Sequence, residues 1–279
     1  LDDFKNIFWL EYIHRLFARL VGLIFIMPII LFRFMNIISA REAIKYYAMI
    51  GLFLAQGVMG WLMVKSGLVD NPHVSHFRLA MHLSLAASLF LYSLWLYLQN
   101  CFILSGSREG YINKFKPVFN LSLEKLKCIC KLLNVLFVCA FLQLFLGGLV
   151  AGLKAGYLYN SFPLMGDNFV PPEITNNFNF VTMWYDPTTI QFLHRMFAYV
   201  LICITGLLII KLFKNNILSN QRNALGIIIS IQFSLGVITL LSHVDIIFAL
   251  LHQIVAFALQ GQIVYLKFII NNAKLTKNV

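Results

Sequence analysis

The sequence predicts an all-α polytopic membrane protein, with seven visible transmembrane helices of an expected eight in two pseudo-symmetric four-helix bundles. Three observations carry this. Of 279 residues, 60% are hydrophobic and 12% charged, with a mean hydropathy of +0.79, whereas soluble domains are roughly half apolar and about a quarter charged. The apolar residues gather in stretches near the roughly 20 residues that a spanning helix needs. Those stretches also repeat internally. The same composition excludes a disordered chain and a disulfide-stapled secreted module.

Seven spans follow in order: A, Ile7–Phe32; B, Ala43–Val64; C, Phe77–Gln99; D, Cys128–Gly152; E, Thr188–Phe213; F, Asn223–Leu241; and G, Ile246–Ile270. Span A is too long for a cleavable signal peptide and carries Glu11, His14, Arg15 and Arg19, with no small-residue cleavage site after it. The loops sort by charge. The A–B loop carries Arg33, Arg41 and Lys45, and the C–D loop carries Arg108, Lys114, Lys116, Lys125 and Lys127. The E–F loop has Lys211, Lys214 and Arg222, and the tail has Lys274 and Lys277. The alternate loops hold only Lys65 and Lys154. Positive residues mark the inner side, so the C-terminus is expected in the cytoplasm or matrix. The net charge of +11 is then a topology signal, and no nucleic-acid partner is expected.

Spans A and E share more than hydrophobicity. Glu11-Tyr-Ile-His14-Arg15-Leu-Phe17-Ala18 lies over Gln191-Phe-Leu-His194-Arg195-Met-Phe197-Ala198. Spans B and F share Gln56-x3-Gly60 and Gln232-x3-Gly236, and spans C and G share His82-x3-Ala86 and His252-x3-Ala256. Span D, with Gln143-x3-Gly147-Gly148, is left without a counterpart. A repeat of four helices keeps its orientation, so an eighth helix is expected before residue 1. The expected halves are 1–127 (spans A–C, for a substrate) and 128–279 (spans D–G, for a resident cofactor).

Ionisable groups within a bilayer are costly and mark functional candidates. His73, His76 and His243 fall in or beside outer loops, where polar residues are unremarkable. His14, His82, His194 and His252 lie within spans A, C, E and G, about 5–7 residues past the outer boundary of each. Four imidazoles at one depth, in repeat-related pairs, suit the axial ligands of haem iron on facing helices. The economical pairing is His14 with His82 and His194 with His252. Arg15, Arg195 and Arg78 lie beside these histidines, where they could meet anionic propionates or snorkel to headgroups. Zinc is a poor alternative, because no cysteine shares this depth. Cys128-x-Cys130 lacks a second pair, and no disulfide is expected.

The repeat breaks where Glu11 in the first half faces Gln191 in the second. Three residues is nearly one helical turn, so Glu11 shares a face with His14. A carboxylate can move a proton or stabilise a cation, whereas an amide only hydrogen-bonds. The first half is therefore the candidate for chemistry and the second for a permanent electron carrier. The i to i+4 spacing equally allows Glu11 to pair with Arg15.

With these residues in view, the chain resembles the heme A synthase family, in its alphaproteobacterial and mitochondrial branch. The most specific stretches are Glu11-Tyr-Ile-His14-Arg15, Gln56-Gly-Val-Met-Gly60-Trp-Leu-Met-Val-Lys65-Ser-Gly-Leu and Val74-Ser-His-Phe-Arg78-Leu-Ala-Met-His82-Leu. Gly147-Gly-Leu-Val-Ala-Gly152-Leu-Lys-Ala-Gly, Tyr159-Asn-Ser-Phe-Pro-Leu-Met-Gly166 and Gln191-Phe-Leu-His194-Arg195 add to them. The resemblance implies eight helices in two halves. It implies haem b between His194 and His252, haem O received by His14 and His82, and Glu11 as catalytic carboxylate. The implied reaction oxidises a porphyrin methyl to a formyl group through successive hydroxylations, with water as oxygen source, making haem A for cytochrome oxidase. Metal-ligand roles then fall on His14, His82, His194 and His252, substrate contacts on Arg15 and Arg78, and cofactor contacts on Arg195. The family's first helix is absent from the chain, as is the cysteine pair of some branches.

Two other classes use the same four histidines. A dihaem b-type cytochrome passing electrons to or from quinone gives no reason for the Glu11/Gln191 difference. A haem transporter or chaperone would want an open path and weaker ligation. The expected location is the bacterial inner membrane or the mitochondrial inner membrane, with the histidines toward the outer side. Haem O synthase, cytochrome oxidase assembly factors and a second copy of the chain are the partners this reading suggests besides lipid.

Overall fold

The computed structural model describes residues 2–66, 75–104, 108–177 and 179–277. His73, Val74 and the Gly67-Leu68 end of the second motif lie outside the described residues. Among those described, the chain is helical throughout, relieved only by loops and one isolated bridge between Met165 and Asn168. Seven helices are long and apolar enough to cross a membrane: α1 (Asp2–Phe34), α2 (Ala40–Ser66), α3 (His76–Leu104), α6 (Leu123–Gly152), α8 (Pro187–Lys214), α9 (Ser219–Leu241) and α10 (Ile246–Leu275). In lipid every backbone N–H and C=O must be satisfied within the element, and a helix does this. The protein is therefore an integral membrane protein.

Several helices overrun the apolar stretches, α6 beginning at Leu123 and α10 running on to Leu275, and polar residues outside the apolar run cap their starts. Ser122 accepts from the Lys125 amide, Asp186 from the Thr189 amide at 2.8 Å, and Asp245 from the Ile247 amide at 3.0 Å. Each fills a donor that the first helical turn leaves orphaned. Three short helices went unseen in the sequence, α4 (Arg108–Lys114), α5 (Lys116–Phe119) and α7 (Pro172–Asn177). None is long enough to print a helical period.

The chain divides into two compact units, residues 1–58 and 59–279. In the first, a reciprocal cap starts α2: the Glu42 amide donates to Ser39 Oγ at 3.3 Å, and the Ser39 amide donates back to Glu42 Oε2 at 3.1 Å. Gly22 of α1 lets Phe53 of α2 come so close that a Cβ there would sit 2.6 Å from its ring. Much of α1 is apolar and exposed, Ile24 at 74%, as suits a surface whose solvent is lipid.

In the second unit α6, α8, α9 and α10 form a ring of neighbours, with α3 laid against α6 and α10. One end of the ring is packed solid by Leu126, Ile129, Leu133 and Leu136 of α6 against Leu208 and Leu212 of α8, Leu225 of α9 and Ile263 and Leu266 of α10. The α3–α6 crossing is tighter still. A Cβ on Gly148 would lie 2.7 Å from the Ala80 Cα, and one on Gly152 would lie 2.5 Å from the His76 Cα. Small residues four apart let two backbones approach where no hydrophobic effect drives helices together.

Candidate functional site

The end of the four-helix ring nearer the 159–166 loop is open where the other end is filled. A cavity of about 610 Å³ lies there, within the usual size of ligand pockets. Its walls are apolar and aromatic, with Leu144, Ile202, Tyr199 and Phe233 from the helices and Phe162 from that loop. His194 of α8 and His252 of α10 both line it, so the expected second-half pair is brought to one chamber. His14 stands on α1 in the first unit, with Glu11 one turn away. His82 stands on α3 in the second unit, half-buried.

His82, His194 and His252 each rest on a glycine. A Cβ added to Gly236 would lie 2.9 Å from His252 Cε1, one on Gly147 would lie 3.3 Å from His194 Cε1, and one on Gly60 would lie 3.2 Å from His82 Cε1. A glutamine one turn earlier completes the two second-half seats. Gln143 Nε2 lies 3.2 Å from His194 Nδ1 and donates to the His194 carbonyl at 3.0 Å. His252 Nδ1 lies 3.1 Å from the Gln232 carbonyl, and Gln232 Nε2 lies 3.3 Å from His252 Nε2. The sequence displayed Gln-x3-Gly three times, but only as a marker of the repeat. Its recurrence was the available signal that these residues serve the histidines.

Arg195 is buried and does more than sit beside His194. Its Nη1 donates to the carbonyls of Ser161 at 2.9 Å and Leu164 at 3.2 Å, and its Nη2 donates to that of Tyr159 at 2.7 Å. Gln191 Nε2 donates to the same Tyr159 carbonyl at 3.0 Å. Together they fasten the 159–166 loop over the cavity mouth. Ser161 Oγ closes that loop by accepting from the Gly166 amide, whose φ of 67° suits a residue without Cβ. Beneath the loop, Tyr159 reaches Glu173 at 3.1 Å, and burial with that carboxylate pushes the phenol up from its ordinary range.

In the first unit the matching pair behaves differently. Glu11 and Arg15 form an ion pair with each other, both side chains partly exposed. Arg78, in the second unit, donates to the Leu62 carbonyl at 2.8 Å near the end of α2. His76 Nε2 lies 3.1 Å from the Trp184 carbonyl, and His243 occupies a left-handed φ of 54° in the α9–α10 turn. Neither lines the cavity. Around the cavity itself, Gln143 Oε1, Gln191 Oε1, Gln232 Oε1, Gln253 Nε2, Gln260 Oε1 and Arg195 Nε are buried with no hydrogen-bond partner among the described residues.

Residues 1–264 match the family model for the cytochrome oxidase assembly proteins COX15-CtaA. The chain belongs to that family. Among relatives, it is 44% identical over 277 residues to the heme A synthase of Rickettsia bellii, covering 98% of this chain and 78% of that protein. It is 42% identical over 276 residues to the heme A synthase of Rickettsia canadensis, and 41% over 275 residues to that of Rickettsia africae, with the same coverage of 98% and 78% in each case. For this COX15-CtaA member, the sequence resemblance and the all-helical membrane fold therefore agree.

Proposed function

We propose that this COX15-CtaA protein is a heme A synthase, a membrane oxidoreductase that oxidises one methyl group of haem O to a formyl group. The observation that carries this is a match across 98% of the chain to proteins of that name, in a molecule whose second unit opens two facing histidines into one apolar cavity. Cytochrome oxidase is the consumer of the product.

The cavity fits a resident haem b. Two imidazoles reach it from different helices of the ring, its walls are aliphatic and aromatic, and six buried polar atoms around it lack partners among the described residues. His194 and His252 would hold the iron, and Arg195 Nε is the donor left over for an anionic edge. When bound, haem b supplies one-electron transfer. The chain's own residues shape that site. Gln191 and Arg195 hold the 159–166 loop down and keep water out, and the packed end of the bundle sets the floor.

Haem O is the substrate, received by His14 and His82 with Arg15 and Arg78 near its propionates. Each hydroxylation of the methyl by water releases two electrons and two protons. Glu11, one turn from His14, is the carboxylate that accepts a proton or faces the developing positive charge. Residues 1–127 and 128–279 act in this reading as the substrate half and the electron-carrying half. The basic last turns of α1, α8 and α10 favour a cytoplasmic or matrix C-terminus, with the histidines toward the outer face of a bacterial or mitochondrial inner membrane. Haem O synthase, oxidase assembly factors and a second copy of the chain are the partners of this reading.

The test is to purify the protein from cells making haem O and identify bound haems by chromatography and mass spectrometry. Haem b together with haem O, its hydroxylated forms or haem A is expected. His194→Ala should lose haem b, whereas His14→Ala should stop turnover with haem b retained. Equal loss of haem b from both variants overturns the division of labour, and haem b alone at both sites would favour an electron-carrying cytochrome.

A further inference from the structure

The seat of His252 contains enough chemistry to decide which nitrogen of the ring is offered to the cavity. A carbonyl oxygen only accepts, so the 3.1 Å contact between His252 Nδ1 and the Gln232 carbonyl requires a proton on Nδ1. In a neutral imidazole Nε2 then carries the lone pair, which agrees with the Gln232 side-chain amide donating to it at 3.3 Å. One residue thus engages both ring nitrogens, its main chain fixing the tautomer and its side chain covering the lone pair. This arrangement depends on Gly236. The ring lies over its backbone, with Cε1 2.9 Å and Nδ1 3.5 Å from where a Cβ would be. Real Cβ contacts essentially never come under 3.0 Å, so a side chain at 236 must displace the ring from its present seat. Gly147 presents the same backbone face to His194 at 3.3 Å, with Gln143 beside the ring.

We propose that Gly236 with the Gln232 carbonyl, and Gly147 with Gln143, are positioning residues for the haem ligands, and that the first pair presents Nε2 of His252 to iron. A ligand imidazole whose other nitrogen is tied to a carbonyl has a fixed tautomer and a fixed ring plane. Gln232-x3-Gly236 and Gln143-x3-Gly147 are then ligand-seating devices rather than packing motifs alone. The proposal rests on the haem b reading above and deepens it. The closer the glycine to the ring, the more its loss should cost, so Gly236→Ala should disturb ligation more than Gly147→Ala.

The experiment uses the full chain purified with its haem, comparing wild type, Gly236→Ala, Gly147→Ala and Gly206→Ala. Gly206 has nothing within 4 Å of its Cβ position and serves as control. Absorption and electron paramagnetic resonance spectra report spin state, and pigment assay reports haem per chain. Gly236→Ala should lose most of its low-spin signal to a high-spin form or lose haem, Gly147→Ala should lose less, and Gly206→Ala should match wild type. Added free imidazole should restore the low-spin spectrum of Gly236→Ala, because a ligand is displaced while the bundle stands. A wild-type spectrum and haem content in Gly236→Ala overturn the proposal. If that variant does not accumulate, Gly147→Ala decides, and an unchanged spectrum there overturns it equally. Should His194→Ala and His252→Ala themselves keep the wild-type spectrum, the haem is held elsewhere, and the underlying reading fails together with its seat.

Discussion

Glu11 and Gln191 hold matching places in the repeat, yet their side chains are spent differently. Gln191 gives its amide to the Tyr159 carbonyl and stays with the roof of the cavity. Glu11 pairs with Arg15 along one helix face. The neighbouring arginines differ too, since Arg195 is bound to three loop carbonyls. The second-half pair is thus built into the fold, while the first-half pair keeps a carboxylate partly exposed beside His14. Glu11→Gln should reduce haem A formation by roughly 10²-fold or more and leave haem b content unchanged, as read by pigment chromatography of purified protein. Turnover within a few fold of wild type would remove Glu11 from the chemistry. The identity of these residues was legible in the sequence. Where Arg195 spends its donors was not, because its partners lie some thirty residues away in a loop with no periodic pattern.

At the scale of elements, the α3–α6 crossing is the tightest contact in the second unit. Gly148 and Gly152 meet the backbone of Ala80 and His76, and no neighbouring side chain can yield space as a flexible tip would. Gly148→Val should therefore destabilise the protein by about 1–3 kcal/mol, seen as a lowered unfolding temperature in detergent, whereas Gly206→Val should not. Equal melting of the two variants would show that the crossing has room to relax. All seven spans were readable in order because apolar runs of that length have one use in a bilayer. Their ends were less so, since the caps at Ser122, Asp186 and Asp245 sit beyond the apolar run. The Gly147-Gly148 pair was visible in sequence, but its division of labour was not. One glycine faces His194 and the next faces α3.

For the whole molecule, the alternation of basic loops predicts which side each faces. In a background with Cys101, Cys128, Cys130, Cys139 and Cys203 replaced, a cysteine at Lys154 should react with a membrane-impermeant maleimide applied from the outer side. One at Lys214 should react only after permeabilisation. The reverse pattern would invert the topology and move the histidine sites to the inner leaflet. Within the four-helix ring, the end that holds His194 and His252 carries Gln143, Gln191 and Gln232 around the cavity, and the other end is filled with leucine and isoleucine.

The sequence by itself determined that this is a helical membrane protein, how many spans it shows and which family it resembles, and it singled out four histidines as candidates. These are properties of composition, length and local pattern, and lipid leaves a hydrophobic chain few alternatives. Only the tertiary structure decided that His194 and His252 share one chamber, that the 159–166 loop is tied down by Arg195 and Gln191, and that Gly60, Gly147 and Gly236 each lie against a histidine ring. Those facts depend on which helix faces which, and helix packing is set by contacts between residues far apart in the chain.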